Sequence, residues 1–213
     1  MDNASENMIA KYANNVKSVL HLGAYLGEES TFYKSINAEN VIWVEANVEL
    51  YNEMLTKVKT NGLTNYTINR AVFNKDDELI AFHLMSDESG SNRGGSSVLL
   101  PTKHLDYYPG IKHYNTVTVK TITIDKILTN DTIKSVELLN MDLQGGELIA
   151  LQGAQKTLMD PNLRVIMTEA SWESLYKGAP LLNDIEDFLK PYGFSCVDAV
   201  KYHKAWGDAL FVR

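Results

Sequence analysis

The chain has one cysteine, Cys196, among 213 residues. It can therefore form no internal disulfide and no zinc site built from several thiolates, and a reducing compartment suits it. No segment approaches the roughly 20 consecutive apolar residues that a membrane-spanning helix needs. The first residues mix Asp2, Glu6 and Lys11 with asparagines and lack the apolar run of a signal peptide. A cytoplasmic protein with no membrane partner is expected. Positive charge is also short: 20 Lys+Arg against 27 Asp+Glu leave a net charge of −7. An acidic surface repels phosphate backbones, so nucleic acid is not an expected partner. Repeats, heptads and low-complexity tracts are missing too. What remains is a chain with 45% hydrophobic and 22% charged residues, enough to bury a core as a single domain over residues 1–213.

Apolar and β-branched runs alternate with helical spacing. Val16 to Leu22 reads as a strand ending at Gly23, followed by a helix over Glu28 to Ser35. Asn40 to Glu45 is a second strand, with a helix from Val48 to Thr60 behind it. Tyr66 to Val72 is a third strand. Residues 76–121 read as an inserted hairpin: Leu79 to Met85 and Thr116 to Ile124 alternate as strands around a polar stretch, Ser86 to Ser97. The Gly- and Ser-rich part of that stretch, Asp87 to Ser97, has the composition of a mobile lid. From Asp125 the order resumes with a strand at Val136 to Met141, a helix at Glu147 to Met159, a strand at Leu163 to Thr168 and a helix at Leu182 to Pro191. Strands at Phe194 to Val200 and Ala209 to Val212 close the chain, and residues 1–15 form an N-terminal helical extension. Strands separated by helices imply an α/β fold with a mostly parallel sheet covered on both faces. Ligands of such sheets sit at the carboxyl ends of the strands.

Gly23 and Gly27 follow the first strand, where missing β-carbons let the backbone turn sharply and approach a ligand. They do not make the G-x-G-x-x-G of dinucleotide sites, and Glu28 would repel a pyrophosphate. A cationic ligand such as S-adenosylmethionine, with its sulfonium and ammonium, is tolerated. Glu45 ends the second strand about 20 residues on, the place from which an acid accepts hydrogen bonds from both ribose hydroxyls.

LGAYLGE, WVEANVELYNEML, INRAVFN, ELLNMDLQGGELIALQGA, VIMTEASWESLYKGAPLLNDIEDFLKPYGF and GDALFV follow in order from about Val16 to Val212. In this order and spacing the chain resembles the FkbM family of S-adenosylmethionine-dependent methyltransferases, most specifically over Asn140 to Gly153. The resemblance implies a class I methyltransferase fold, Rossmann-like, with a seven-stranded sheet whose last strand is antiparallel. It also implies that Gly23, Ala24, Tyr25 and Gly27 underlie the methionine part of the cofactor. Glu45 would hold the ribose, Asn47 would flank the adenosine, and Asn69 and Arg70 would lie on the adenine side. Two departures stand out: the family commonly has Asp where this chain has His21, and Lys where it has Asn140.

Asp142, at the end of the fourth strand, is placed to orient the cofactor's amino group or to accept a proton from a hydroxyl acceptor. Glu147 reads as a helix N-terminal charge. Glu169 ends the fifth strand, and the resemblance sets it on the acceptor side. Among the histidines, whose ordinary pKa suits proton transfer at neutral pH, His113 and His104 lie in the insertion that would cover the acceptor. Asp142, His113 and Glu169 are thus the catalytic candidates. Tyr107, Tyr108, His113 and Tyr114 could stack on a sugar ring or cover the sheet edge. No metal-ligand spacing is present. The expected function is O-methylation of a hydroxyl on a sugar, glycan or other small molecule, with a second copy of the chain, in a homodimer, as a candidate partner. The rivals are another nucleotide-binding α/β enzyme and a non-catalytic cofactor-binding module.

Overall fold

The computed structural model describes residues 3–13, 15–90, 93–129 and 133–213. Residues 1, 2 and 14 of the expected N-terminal extension, and 91 and 92 of the expected lid, lie outside them. Helix α1 (Asn3–Tyr12) opens the chain, followed by β1 (Ser18–Leu22), α2 (Ser30–Ser35), β2 (Asn40–Val44), α3 (Val48–Val58) and β3 (Thr64–Ile68). Next come β4 (Ala71–Val72), β5 (Leu79–Asp87), α4 (Lys103–Tyr107), β6 (Ile111–Ile122) and α5 (Ile124–Ile127). The remainder is β7 (Leu138–Met141), α6 (Glu147–Gln152), α7 (Gln155–Met159), β8 (Val165–Ser171), α8 (Leu182–Leu189), β9 (Ser195–Lys201) and β10 (Trp206–Val212).

Seven strands form one sheet in the order β3-β2-β1-β7-β8-β10-β9, parallel except for β10, which runs antiparallel to both its neighbours. This is the α/β sheet expected from the alternation. Because successive side chains point to opposite faces, Leu20 and Leu22 of β1 join the core beneath α5 to α8. Val19 joins the opposite core, beneath α1, α2 and α3, with Val41, Trp43 and Leu138. His21, two residues on from Val19, shares that second face. The strand order reverses between β1 and β7, leaving the crevice at which such sheets hold ligands.

Three elements differ from the sequence reading. The strand expected at Tyr66 to Val72 is two strands: β3 pairs with β2, whereas β4 turns away to pair with β6 in a separate three-stranded sheet. The helix expected at Glu147 to Met159 breaks at Gly153, where an added Cβ would lie 2.5 Å from the Phe73 carbonyl. Helix α4 lies within the hairpin; its five residues, Lys103–Tyr107, are too few to show an apolar period. The hairpin itself forms as expected from β5 and β6, antiparallel from Leu79↔Lys120 to Asp87↔Ile111. Among the described residues, no helix is long and apolar enough to cross a membrane.

Candidate functional site

A cavity of about 330 Å³ opens at the carboxyl ends of β1, β2 and β7, lined by Gly23, Tyr25, Glu45, Arg70, Asp142 and Gln144 among others. Its floor is a knot of three strand ends. The Gly23 N–H donates to Val44 O (2.9 Å), and the Asp142 N–H donates to Leu22 O (3.0 Å). Gly23 has φ +74°, and an added Cβ would sit 1.8 Å from the Asp142 carbonyl oxygen, so no other residue fits without moving β7. Gly27 serves packing: a Cβ there would lie 2.7 Å from Val58 Cγ1 of α3. Ala24 is buried and, like Gly27, is not part of the cavity lining.

Glu45 is 6% exposed. Its Oε2 accepts from the Tyr25 N–H (2.9 Å), and its Oε1 accepts from the Asn47 N–H (2.7 Å). Burial pushes its pKa up to about 7, against the pull of these backbone donors. Each carboxylate oxygen retains a lone pair for a further donor. Asn47 lies outside the lining; its Oδ1 caps α3, accepting from Glu49 N (3.0 Å) and Leu50 N (3.5 Å). Asn69 also acts from behind, its Nδ2 donating to the carbonyls of Glu45 (2.9 Å) and Ala46 (3.2 Å), which fixes the end of β2. Arg70 does reach the cavity wall, with Nη1 donating to Asn69 O (2.9 Å).

On the β7 side the hub is Gln144, held at φ +53°, a conformation uncommon outside glycine. Its Nε2 donates to Asp142 Oδ1 (2.6 Å) and Glu169 Oε2 (2.8 Å), so one amide joins two catalytic candidates. Burial, followed by the charges of Asp142 and Glu147, raises the Glu169 pKa well above the carboxylate range. Burial thus favours the neutral form of Glu169. Glu147 is also buried, and burial pushes it up to about 7; its Oε1 accepts from Leu143 N (2.9 Å) and Gly145 N (3.2 Å), fixing the loop after β7. Among the described residues, no three His, Cys, Asp or Glu side chains converge as metal ligands.

Of the Gly- and Ser-rich stretch, Arg93, Gly94, Gly95 and Ser96 stand in the cavity wall. Residues 93–97 are tethered at both ends. Arg93 makes a bidentate pair with Glu53 of α3 (2.8 and 2.9 Å). Ser97 Oγ donates to Gln144 O (2.8 Å), and the Tyr176 hydroxyl lies 2.9 Å from both Gly95 O and Gln144 Oε1. The loop and the Asp142–Glu169 pair thus meet at Gln144. Tyr176→Phe is expected to cost about 1 kcal/mol of stability. It should also speed hydrogen exchange at the amides of Gly95 to Ser97 about tenfold, measured by mass spectrometry against wild type.

His113 is not brought to this cavity. It lies on the exposed face of the hairpin, its Nε2 2.9 Å from Thr116 Oγ1 and its ring 5.4 Å from that of His83. His104 is buried beside Gly95 and Tyr176, where burial holds its pKa below the ordinary value. Four contributors escaped the sequence reading: Glu29, which lines the cavity, Arg93 and Tyr176, which fix the loop, and Gln144, which stands in the motif but gave no sign of its bridging role.

The model of the methyltransferase FkbM domain matches residues 21–196. The chain belongs to this FkbM methyltransferase family. The 2-O-methyltransferase NoeI of Sinorhizobium fredii is 31% identical over 96 residues, which are 45% of this chain and 39% of that protein. The chain thus matches well under half the length of this curated relative. Among solved structures, the Streptococcus pneumoniae protein Sp1610, described as a tRNA methyltransferase, matches with a TM-score of 0.55 at 12% identity, over 100% of this chain and 70% of that one. M. capricolum TrmK, solved with S-adenosyl-homocysteine, matches with a TM-score of 0.55 at 10% identity, over 100% and 68%. These two likenesses concern the fold, in which the FkbM cavity occupies the crevice between β1 and β7.

Proposed function

We propose that this FkbM-family chain is an S-adenosylmethionine-dependent O-methyltransferase whose acceptor is a hydroxyl on a sugar or other small molecule. The observation that carries the reading is Glu45. It is a buried carboxylate in the cavity wall, held by two backbone N–H groups and one strand away from a glycine that admits close backbone approach. That donor and acceptor set fits a ribose diol above a nucleoside-sized space. The name of the NoeI relative supports oxygen as the acceptor atom, and the net charge of −7 favours a small acceptor over a phosphate backbone.

When bound, S-adenosylmethionine supplies a methyl group made electrophilic by its sulfonium. Glu45 would hold the ribose, and the Gly23 to Tyr25 turn would lie against the chain that joins ribose to sulfur. Gln144 Nε2 holds Asp142 through Oδ1, and Asp142 would receive the proton of a hydroxyl acceptor. Burial and the neighbouring Asp142 charge favour the neutral form of Glu169 beside it. Loop 93–97 shields the reacting atoms from water.

The test is a calorimetric titration with S-adenosylhomocysteine and with NAD, followed by labelled-methyl transfer to sugars, polyols and phenols by wild type and Asp142→Asn. Binding of the homocysteine, with transfer reduced about a thousandfold in Asp142→Asn, is the expected result. Tighter binding of NAD, or no binding of S-adenosylhomocysteine, would overturn the reading.

A further inference from the structure

The two anchors of residues 93–97 lie on different sides of the cavity. Ser97 bonds the backbone of Gln144, beside Asp142 on the β7 side. Arg93 bonds α3 instead, its Nη1 and Nη2 donating to Glu53 and its Nη1 standing 3.9 Å from Glu49. Helix α3 begins at Val48, just after Glu45, and its Leu50 lines the cavity together with Arg93. Tyr25, whose N–H holds Glu45 Oε2, is close enough to act on the Arg93 charge. The inserted segment thus contributes a cation to the Glu45 side of the cavity, and not only to the acceptor side expected of it.

A guanidinium is a planar fork of five N–H donors and no acceptor. Glu53 takes one donor from each terminal nitrogen of Arg93, which fixes the plane of the fork. The Nε–H is buried and has no hydrogen-bond partner among the described residues, on a side chain only 17% exposed. A buried charged donor is costly to leave unmade, so this edge is completed by whatever fills the cavity. Glu45 and Arg93 are complementary in what they ask of that occupant: the carboxylate only accepts, and the guanidinium only donates. A nucleoside meets both, giving its ribose protons to Glu45 and presenting sugar oxygens and ring nitrogens as acceptors. We infer that Arg93 is a nucleoside-binding residue, held by Glu53 through its terminal nitrogens and giving its Nε–H to an acceptor atom of the bound nucleoside. The inference rests on the reading of the cavity as an S-adenosylmethionine site.

S-adenosylhomocysteine, 5′-methylthioadenosine and adenosine share the nucleoside and differ in what extends from it. Arg93→Lys keeps a charge for Glu53 and Glu49 but has no counterpart of the Nε–H. Calorimetry with these ligands is run on wild type, Arg93→Lys and Glu53→Gln, with the unfolding midpoint and the hydrogen exchange of Gly95 to Ser97 measured for each. In Arg93→Lys every one of the ligands is expected to bind about twentyfold more weakly, while exchange stays within about twofold of wild type. Glu53→Gln loosens the tether and leaves the Nε–H in place, so it should speed that exchange and cost about threefold or less in affinity. Wild-type affinity in Arg93→Lys would overturn the inference. So would an equal loss in Glu53→Gln, which makes Arg93 a tether alone, or a loss confined to S-adenosylhomocysteine, which puts the guanidinium at the amino-acid end. A wild type that binds none of these ligands would overturn the cofactor reading itself.

Discussion

Glu45→Ala is expected to weaken binding of S-adenosylhomocysteine about a hundredfold, because two charge-assisted hydrogen bonds to the ribose would be lost from a buried site. The same residue sets a pH signature. In the proposed site, ribose hydroxyls would donate to the ionised carboxylate, whose pKa burial pushes up to about 7 in the free protein. Affinity should therefore fall as pH drops below 7, approaching tenfold per unit. Stability of the free protein runs the other way. An acid whose folded pKa is raised binds more protons folded than unfolded, so its contribution falls as pH rises from the unfolded value towards the folded one. Glu45 and Glu147, both at about 7, and Glu169, also raised by burial, act in this sense. His21 and His104, whose folded values are lowered, oppose them only below about pH 6.5. Between pH 6.5 and 8 the unfolding temperature of the free protein should fall, while the increase produced by S-adenosylhomocysteine should grow. Differential scanning fluorimetry across this range checks both; a free-protein midpoint that rises over the interval would contradict the burial of these acids.

Gly23→Ala is expected to cost about 4 kcal/mol, enough to leave much of the chain unfolded at 37 °C. Two penalties combine: a positive φ that an L side chain adopts poorly, and a methyl group 1.8 Å from the Asp142 carbonyl. Relief requires parting β1 from β7, which displaces Asp142 and the Gln144 loop together. Chemical denaturation of the variant would measure the loss, and the same substitution at Gly90, where nothing lies within 4 Å of an added Cβ, is the control for φ alone.

These effects follow from features that differ in how openly the sequence states them. The turn at Gly23 and the acid at Glu45 are local signals, each at the end of an apolar run, and spacing alone brings them together. The parallel sheet is readable for the same reason. Asn47 and Asn69 lie beside the right strands, yet capping α3 and bonding the β2 carbonyls use their side chains away from the cavity. The end of β3 was hidden because Asn69 draws the chain back to β2 before β4 departs for another sheet. The tethering of the glycine-rich loop depends on Tyr176, 81 positions from Gly95, and on Glu53, 40 positions from Arg93. No local pattern carries partners so distant. His113 was chosen for its chemistry and its place in the insertion, but it lies in the stretch of β6, Lys112 to Thr116, whose residues are all exposed.

Helix α1 packs on β8 and β10, with Met8 and Ile9 buried and Ser5 bonded to Tyr202 and Asp208, 197 and 203 positions later. On the ribosome this helix emerges well before β8 and β10, which form its docking surface. At about 5–20 residues per second, its apolar face waits roughly 10–40 s for the strand that covers it. Synthesis therefore passes through a stage in which β1, β2 and β3 can pair while the α1 side of the sheet stays open, a stage suited to capture by a chaperone that binds exposed apolar helices.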